Sequence, residues 1–420
     1  MLIVDLVCVP VRSGFFTDDQ AAIRADAGQD GFSYLAAPLT PGFSRVRMPG
    51  EALSVLLVLS DGQIAHGDCA TVQYAGAGGR DPALDADAMA DVVIGQVRPR
   101  LLGRRVTDFR SLATEIDQMT LDGRPLHSAA RYGVTQAILD AAAKARGITM
   151  AELVRDEYGT GAQLSPVPVF AQCGDDRYTN VDKMILKGVD ALPHGLVNNV
   201  ETKFGHSGEL FADYVEWVRA RVLKLRPSES YHPVLHFDLY GTVGLAFDAE
   251  TTTMAAYLAR VGDLAAPFQL RIEHPVDAGS RDGQVEAFTA LRAELRRLGS
   301  SVQLAADEWC NTLDDIKVFA AAGAADMIHV KTPDLGGVNN TVEALLLVRD
   351  HGLLAYCGGT CNETDRSAQV CAHIAMACDA QQVLARPGMG VDEGLMIVGN
   401  EMARTAALVA ARATSNGRPA

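Results

Sequence analysis

VQLAADEWCNTLDDIKVFAAAGAADMIHVK, residues 302–331, contains two short apolar runs that each end in a charged side chain. The first run ends at Asp307, and the second ends at Lys331. An unpaired ammonium group beside apolar residues that become buried on folding carries a large desolvation cost. Lys331 therefore needs either a partner or a chemical task.

The same alternation of short apolar strands with amphipathic helices begins after Pro166. One helix is predicted over Gly208–Leu225, and another over Val285–Leu298 with Gly299 as its C-cap. The stripe of the first helix consists of Leu210, Tyr214, Val218, Val222 and Leu225. The strand candidates end near Gln172, His194, Asp238, Glu273, Asp307, Lys331, Cys357 and Leu384. Eight strand-helix units in this length predict an α/β fold of the (β/α)8 barrel type.

The N-terminal part of the chain follows a different pattern. Leu53–Leu59 and Ile64–Cys69 flank Asp61-Gly62, which predicts a β-hairpin and, with the opening apolar run, three antiparallel strands. Ala129–Arg146 has the apolar spacing of a helix. The predicted division of the chain is an α+β capping domain over 1–160, a catalytic barrel over 161–413 and a flexible C-terminal tail over 414–420.

Composition narrows the possible functions. The chain has 420 residues, a formal net charge of −15 and 48% hydrophobic residues. Because it lacks a stripe of Lys and Arg, neither nucleic acid nor an anionic membrane is expected as a partner. The opening MLIVDLVCVPV lacks a basic leader and contains Asp5, which favours a first strand over a signal peptide. Eight scattered cysteines without a CxxC motif indicate reduced thiols in a cytoplasmic protein.

Three apolar runs end in a single carboxylate, namely VLHFD at Asp238, FQLRIE at Glu273 and VQLAAD at Asp307. Each acid is separated from the next by the length of one strand-helix unit, so the three are expected on neighbouring strands at the barrel mouth. Any one of them alone is equally compatible with a loop residue or a helix cap. Three converging carboxylates would take up protons unless a cation lies among them, and oxygen ligands favour Mg²⁺.

Lys331 ends the next strand, where a nearby divalent cation and partial desolvation would lower its proton affinity and suit it to act as a general base. The alternative is a structural ion pair with Asp334 or Asp307. His194 lies on the second barrel strand and is expected to face the metal from the other side of the mouth, although a lone histidine is often structural.

Taken together, these residues resemble the methylaspartate ammonia-lyase family of the enolase superfamily, in which a capping lobe covers a barrel that binds Mg²⁺. The resemblance covers nearly the whole chain. Its blocks are GDCATVQYAGAGGRDP (67–82), VFAQCGDDRYTNVDKM (169–184), LPHGLVNNVE (192–201), HFDLYGT (236–242), LRIEHP (270–275), ADEWCNT (306–312), VKTPDLGGVNN (330–340), YCGGTCNETDRSA (356–368) and LARPGMGVDEG (384–394).

The resemblance implies an enzyme that removes ammonia from the amino acid L-threo-3-methylaspartate to give mesaconate. It implies Mg²⁺ as cofactor, leaves room for a monovalent cation such as K⁺ as activator, and suggests a homodimer. The implied metal ligands are Asp238, Glu273 and Asp307. The implied bases are Lys331 for the (3S) isomer and His194 for the (3R) isomer. The implied substrate-binding residues are Gln73, Gln172, Thr360, Cys361 and, beside the C3 substituent, Leu384.

One position departs from the family pattern, because His329 stands where a glutamine is expected two residues before Lys331. Period-2 alternation places His329 on the same side as Lys331. The resemblance therefore implies a substrate-binding imidazole in place of an amide that holds the metal-bound carboxylate of the substrate. Two rival interpretations stay open. One is an epimerase or cycloisomerase of the same superfamily, and the other is a barrel that binds a dicarboxylic amino acid without catalysis.

Two glycine-rich stretches, AGAGG (75–79) and PGMGVDEG (387–394), do not complete a dinucleotide-binding motif. They are predicted to be loops that bring the backbone close to a ligand. AGAGGRD is expected to be a mobile loop of the capping lobe that closes over the substrate and excludes water. Gln73 and Gln172 are equally compatible with ordinary loop hydrogen bonding.

Overall fold

The computed structural model describes residues 1–25, 27–77 and 79–416. In this part of the chain, an N-terminal lobe of antiparallel sheet and helices packs against the mouth of a closed parallel barrel. The predicted architecture, an α/β barrel preceded by an α+β lobe, is confirmed. The domain limits proposed from the sequence stay a prediction.

The N-terminal sheet is built from β1 (Ile3–Asp18), β2 (Arg47–Leu59) and β3 (Ile64–Cys69), which pair in that order. Both pairings are antiparallel. Gly62, with φ of +89°, occupies the turn between β2 and β3, where a positive φ is easiest for glycine. The predicted hairpin and the predicted first strand are therefore confirmed. At the far end of β1, Asp18 pairs with Arg47.

A long helix, Ser128–Arg146, lies behind this sheet and is buried on almost every side. Gly67 of β3 and Gly133 of the helix meet where a side chain on either would collide with the other backbone. The two glycines therefore let the helix approach the sheet closely. The lobe's other helical segments are Gln20–Arg24, Ala86–Val92, Arg98–Leu101, Phe109–Asp117 and Met150–Tyr158, with a π-helical turn at Val93–Val97. Its short strand pairs are Gln29–Asp30 with Ser33–Tyr34, and Thr120–Leu121 with Arg124–Pro125.

The barrel in the described part of the chain has eight parallel strands, each ending within two residues of a position expected from the sequence. They are β4 (Val169–Phe170), β5 (Ala191–His194), β6 (Val234–Asp238), β7 (Leu270–Glu273), β8 (Gln303–Ala306), β9 (Met327–Val330), β10 (Leu354–Cys357) and β11 (Gln382–Leu384). β11 pairs with β4 and so closes the barrel. The order of strands around the barrel follows the order of the chain.

Helices cover the outside of the barrel. They are Thr179–Leu186, Glu209–Leu225, Thr242–Ala246, Thr251–Ala265, Arg281–Arg297, Leu313–Ala322, Val338–Asp350, Asp365–Ala377 and Val391–Asn416, with a π-helical turn at Val200–Phe204. Two expectations need correction. Leu210 is 39% exposed, because the neighbouring Phe211 takes the buried position on that turn. The helix predicted from Val285 begins at Arg281 instead, where the Ser280 side chain caps it.

The predicted tail, residues 414–420, is described only in part. Residues 414–416 belong to the last helix, Val391–Asn416, and residues 417–420 lie outside the described part of the chain. Among the described residues, no helix has both the length and the apolar character needed to cross a membrane.

Candidate active site

The parallel register of the barrel brings the predicted charged residues to one end. Asp238 and Glu273 are direct partners at the ends of β6 and β7. His194 ends β5, while Asp307 and Lys331 directly follow β8 and β9. Around the mouth the order is therefore His194, Asp238, Glu273, Asp307 and Lys331. The two candidate bases flank an arc of three acids.

One cavity between the barrel mouth and the N-terminal lobe collects every site residue singled out from the sequence. Its lining includes Gln73, Gln172, His194, Asp238, Glu273, Asp307, His329, Lys331, Thr360, Cys361 and Leu384. These residues come from the ends or following loops of different strands and from the N-terminal lobe. The structure thus brings them together, while the role of each stays a prediction.

The tightest cluster in the cavity consists of two acids and one imidazole. Nδ1 of His329 lies 2.7 Å from Oε1 of Glu273 and 3.1 Å from Oδ1 of Asp307. One potential ligand atom from each of these three residues lies within 4.8 Å of the others. Asp238 does not belong to this compact group, and its Oδ2 lies 3.4 Å from Nε2 of His194. His329 therefore contacts the acids directly as well as lining the cavity.

Two further contacts hold the His329 ring, one at Nε2 and one on a face of the ring. The backbone N–H of Gly359 donates to Nε2 over 3.1 Å, and the ring stacks on Tyr356 with centroids 4.2 Å apart. Against the opposing effect of burial, Asp307 and Glu273 raise the pKa of His329, but the hydrogen bond from Gly359 needs a lone pair on Nε2 and therefore a neutral ring. Because a carboxylate only accepts hydrogen bonds, Nδ1 carries the proton that faces the acids. The imidazole therefore donates to Glu273, and its predicted hydrogen bond to the metal-bound carboxylate of the substrate stays a prediction.

The charges of the acids suit a divalent cation. Burial raises the pKa of Asp238, and the charge of Glu273 raises it further. In the described part of the chain, Oδ1 of Asp307 has no aligned hydrogen-bond donor although it is buried. Hard carboxylate oxygens that are buried and short of partners are the donor set that Mg²⁺ takes in proteins. The residues present therefore fit a Mg²⁺ ion.

Lys331 forms one of the two ion pairs that the sequence left open. Its Nζ donates to Oδ2 of Asp307 over 2.8 Å and lies 3.8 Å from Oε1 of Glu308. Burial favours the neutral amine, but these two acids raise the pKa of Lys331 above its ordinary value. The expected lowering of its proton affinity assumes a divalent cation beside the lysine and stays a prediction.

Arg80 pairs with Asp334, the other partner that was predicted for Lys331. Its Nε donates to Asp334 over 2.8 Å and its Nη2 donates to Glu308 over 2.6 Å. Asp334 and Glu308 follow Lys331 and Asp307 in the chain, so Arg80 ties the N-terminal lobe to both loops at this end of the barrel. It belongs to the predicted AGAGGRD loop, of which Gly78 lies outside the described residues. The sequence indicated this contact of Arg80 with Glu308 and Asp334 only through the position of the arginine directly after a run of glycines.

Gln172 and His194 lie on the opposite side of the mouth from Lys331. Nε2 of Gln172 and Nδ1 of His194 are buried and have no hydrogen-bond partner within the described residues. An unpaired buried donor is costly unless a ligand or water satisfies it. Both side chains are therefore available to a bound molecule.

The loop after β10 meets the N-terminal lobe at Gln73. The backbone N–H of Gln73 lies 3.4 Å from Oγ1 of Thr360, and Sγ of Cys361 lies 3.5 Å from Oε1 of Gln73. The backbone N–H of Thr360 donates to Glu363 over 3.0 Å. Leu384, at the end of β11, is buried in the wall of the same cavity.

Several lining residues had no sequence signal that separated them from ordinary core residues. They are Val72, Tyr74, Tyr240, Tyr356 and Met389. Strain marks the same region, because residues with positive φ follow the strand ends closely: Tyr240 at 48°, His274 at 47° and Trp309 at 69°. A strained backbone conformation persists only where the surrounding contacts hold it in place, and this is often at functional sites.

Comparison with known proteins supplies the family. A family model described as methylaspartate ammonia-lyase N-terminus matches residues 1–159, and one described as methylaspartate ammonia-lyase C-terminus matches residues 161–411. Methylaspartate ammonia-lyase from Clostridium tetanomorphum is 56% identical over 412 residues, which cover 98% of this chain and 100% of that protein.

Solved structures agree with the sequence comparison. The Mg complex of β-methylaspartase from Clostridium tetanomorphum matches with a TM-score of 0.95 and 56% identity, over 98% of this chain and 100% of that one. Citrobacter amalonaticus methylaspartate ammonia lyase containing (2S,3S)-3-methylaspartic acid matches with a TM-score of 0.96 and 50% identity, over 98% and 100%. Muconate lactonizing enzyme from Pseudomonas putida, at 16% identity and a TM-score of 0.60 over 90% and 85%, shares the fold.

Proposed function

The chain belongs to the methylaspartate ammonia-lyase family, and on this premise we propose that it is a Mg²⁺-dependent carbon-nitrogen lyase. Its reaction is the removal of ammonia from L-threo-3-methylaspartate to give mesaconate. The observation that carries the proposal is the arc of buried acids at the barrel mouth, with Lys331 bonded to its last member, Asp307.

The chemical difficulty lies at C3 of the substrate. This carbon is adjacent to a carboxylate that is already negative, so removal of its proton places more negative charge on the same group. Bound Mg²⁺ supplies positive charge at that carboxylate and thereby lowers the cost of the developing charge. Asp238, Glu273 and Asp307 are the proposed ligands.

Lys331 is the proposed base for the (3S) proton. While its ammonium pairs with Asp307 it holds a proton and cannot accept another. If Asp307 shared its charge with a metal ion, the largest of the charges that raise the pKa of Lys331 would weaken, and burial would then favour the neutral amine more strongly. The metal site and the base are thus coupled through one carboxylate.

His194 is the proposed base on the opposite face, for the (3R) isomer. Its Nε2 contacts Asp238, which belongs to the other end of the arc from Lys331. Its Nδ1 is without a partner among the described residues. A lysine and a histidine on opposite sides of one substrate would give access to both C3 configurations.

Gln73, Gln172, Thr360 and Cys361 are proposed to hold the amino group and the adjacent carboxylate. An amide suits a zwitterion because it accepts from an ammonium and donates to a carboxylate. Leu384 is proposed to contact the C3 substituent. His329 is proposed to donate to the metal-bound carboxylate of the substrate, where the family has an amide.

Ammonia release from both diastereomers, with Mg²⁺, with EDTA, and after Mg²⁺ is restored, tests the function. We expect release from the threo isomer that EDTA abolishes and Mg²⁺ recovers, with an unchanged circular dichroism spectrum throughout. Asp307→Asn should lose the activity, whereas Asp68→Asn, a buried acid of the N-terminal lobe outside the cavity, should keep it. An active protein that releases no ammonia would favour an epimerase or cycloisomerase. Binding without turnover and without Mg²⁺ dependence would favour a non-catalytic barrel.

The remaining parts of the proposal concern assembly and location. We propose a homodimer that acts in the cytoplasm, with a monovalent cation such as K⁺ as activator. The family resemblance supports these statements, and the eight cysteines, all free, agree with a reducing compartment. Light scattering after size exclusion, and turnover in K⁺ against tetramethylammonium, test the assembly and the cation.

A further inference from the structure

The Gln73 amide is anchored outside the cavity by an acid that the mechanism does not use. Nε2 of Gln73 donates to Oδ2 of Asp18 over 2.8 Å, and the backbone N–H of Asp18 donates to the carbonyl of Gln73 over 2.8 Å. A carboxylate only accepts hydrogen bonds, so the NH₂ side of the amide must face Asp18. Oε1 of Gln73 is thereby turned toward Cys361 and the cavity.

Asp18 is itself held in one position. Its cross-strand partner Arg47 donates from Nε to Oδ1 over 2.8 Å and from Nη2 to Oδ2 over 2.7 Å. This two-point pairing fixes the plane of the carboxylate as well as its charge. The Asp18 side chain is 1% exposed, so water does not compete for these bonds.

Aromatic rings surround the guanidinium group that holds Asp18. The central carbon of Arg47 lies 4.5 Å from the ring centroid of Phe32, 5.0 Å from that of Tyr34, and 5.5 and 5.9 Å from those of Phe16 and Phe15. Cation–π contacts on this scale stabilise a guanidinium that has left bulk water. The N-terminal lobe therefore contains a built support behind Gln73.

We propose that Asp18 is a positioning residue that sets the selectivity of the site for an amino acid over the corresponding amine-free diacid. With its NH₂ group bound to Asp18, Gln73 can offer only its carbonyl oxygen to the cavity. A carbonyl oxygen attracts the substrate ammonium, whereas a flipped amide would present a second donor and repel it. This inference rests on the proposed function, because it assumes that the amine of the substrate meets Gln73.

Asp18→Asn tests the inference, because an asparagine can donate as well as accept and so permits both orientations of the Gln73 amide. In the Mg²⁺-loaded full-length protein, we expect KM for 3-methylaspartate to rise about 10- to 100-fold, the range for a hydrogen bond to a charged group. The inhibition constant of mesaconate, which has no amine, should change less than about threefold on the same scale. Asp68→Asn, the matched control in the same lobe, should change neither.

A second variant and a second measurement keep the test decisive. Arg47→Lys retains the charge but loses the two-point pairing, and should shift the ratio of the two constants in the same direction by a smaller factor. Equal weakening of both ligands, or no weakening of either, would overturn the inference. If the wild-type protein released no ammonia, the proposed function would fall, while calorimetric binding of the two ligands would still test Asp18.

Discussion

Glu363→Gln removes the charge of a fully buried ion pair that supports the loop carrying Thr360. Nε of Arg386 lies 2.6 Å from Oε2 of Glu363, and both side chains have no exposed surface. Tyr132, from the long helix of the N-terminal lobe, donates to Oε1 over 2.5 Å, and the backbone N–H of Thr360 donates to Oε2 over 3.0 Å. One carboxylate thus joins the barrel, the loop after β10 and the N-terminal lobe.

The magnitude follows from the charge that is left behind. Removal of one partner from a buried ion pair costs about 3–5 kcal/mol, because the other charge stays buried without compensation. At roughly 2.1 cal/mol/K of unfolding entropy per residue, a chain of 420 residues has about 0.9 kcal/mol/K. We therefore expect Tm to fall by about 3–6 °C, and kcat/KM to fall as the backbone of Thr360 loses its charged acceptor.

Scanning calorimetry and ammonia release measure the two effects. Glu363→Gln combined with Arg386→Met replaces the pair by neutral groups of similar length, and should recover most of the lost stability. Glu294→Gln, which removes the charge from a pair with the exposed Arg297, is the control and should leave Tm within about 1 °C of wild type. A Glu363→Gln protein within about 1 °C of wild type, or a double variant less stable than the single one, would refute the reasoning.

Three further predictions concern the cavity. Lys331→Ala should reduce kcat for the threo isomer by at least the roughly 10²- to 10⁴-fold expected of a general base while calorimetry still detects Mg²⁺ binding, and a near-wild-type rate would remove the lysine from the mechanism. His194→Ala should impair the erythro isomer more than the threo isomer in parallel assays, so that equal losses would contradict bases on opposite faces. His329→Gln keeps an amide donor toward Glu273 but cannot carry a charge, and should change the rate or the ratio of rates for the two isomers. Unchanged kinetics would make this histidine incidental.

The strand ends of the barrel could be predicted because each carries a local signal. A short apolar run followed by one charged residue marks the point where a buried strand meets the mouth, as at Asp238, Glu273 and Asp307. His329 and Lys331 share a side because side chains alternate along a strand, and both line the cavity. These inferences needed only periodicity, spacing and family motifs.

Contacts between distant segments could not be predicted in the same way. Arg80 of the N-terminal lobe meets Glu308 and Asp334, which lie beyond the middle of the chain. Asp18 anchors Gln73 across the lobe, and Arg47 anchors Asp18. No local pattern in the sequence separates these residues from the other arginines and acids of the chain.

By itself, the sequence determined the strand-helix order, the end of the barrel at which the charges gather, and the three acids, the lysine and the histidine that end its strands there. Those properties depend on residues that are close in the sequence, since hydrophobic periodicity is a property of a single helix or strand. Only the tertiary structure decided that Lys331 pairs with Asp307, that His329 pairs with Glu273, and that Gln73 presents its oxygen. These depend on short distances between segments far apart in the chain, which packing alone sets.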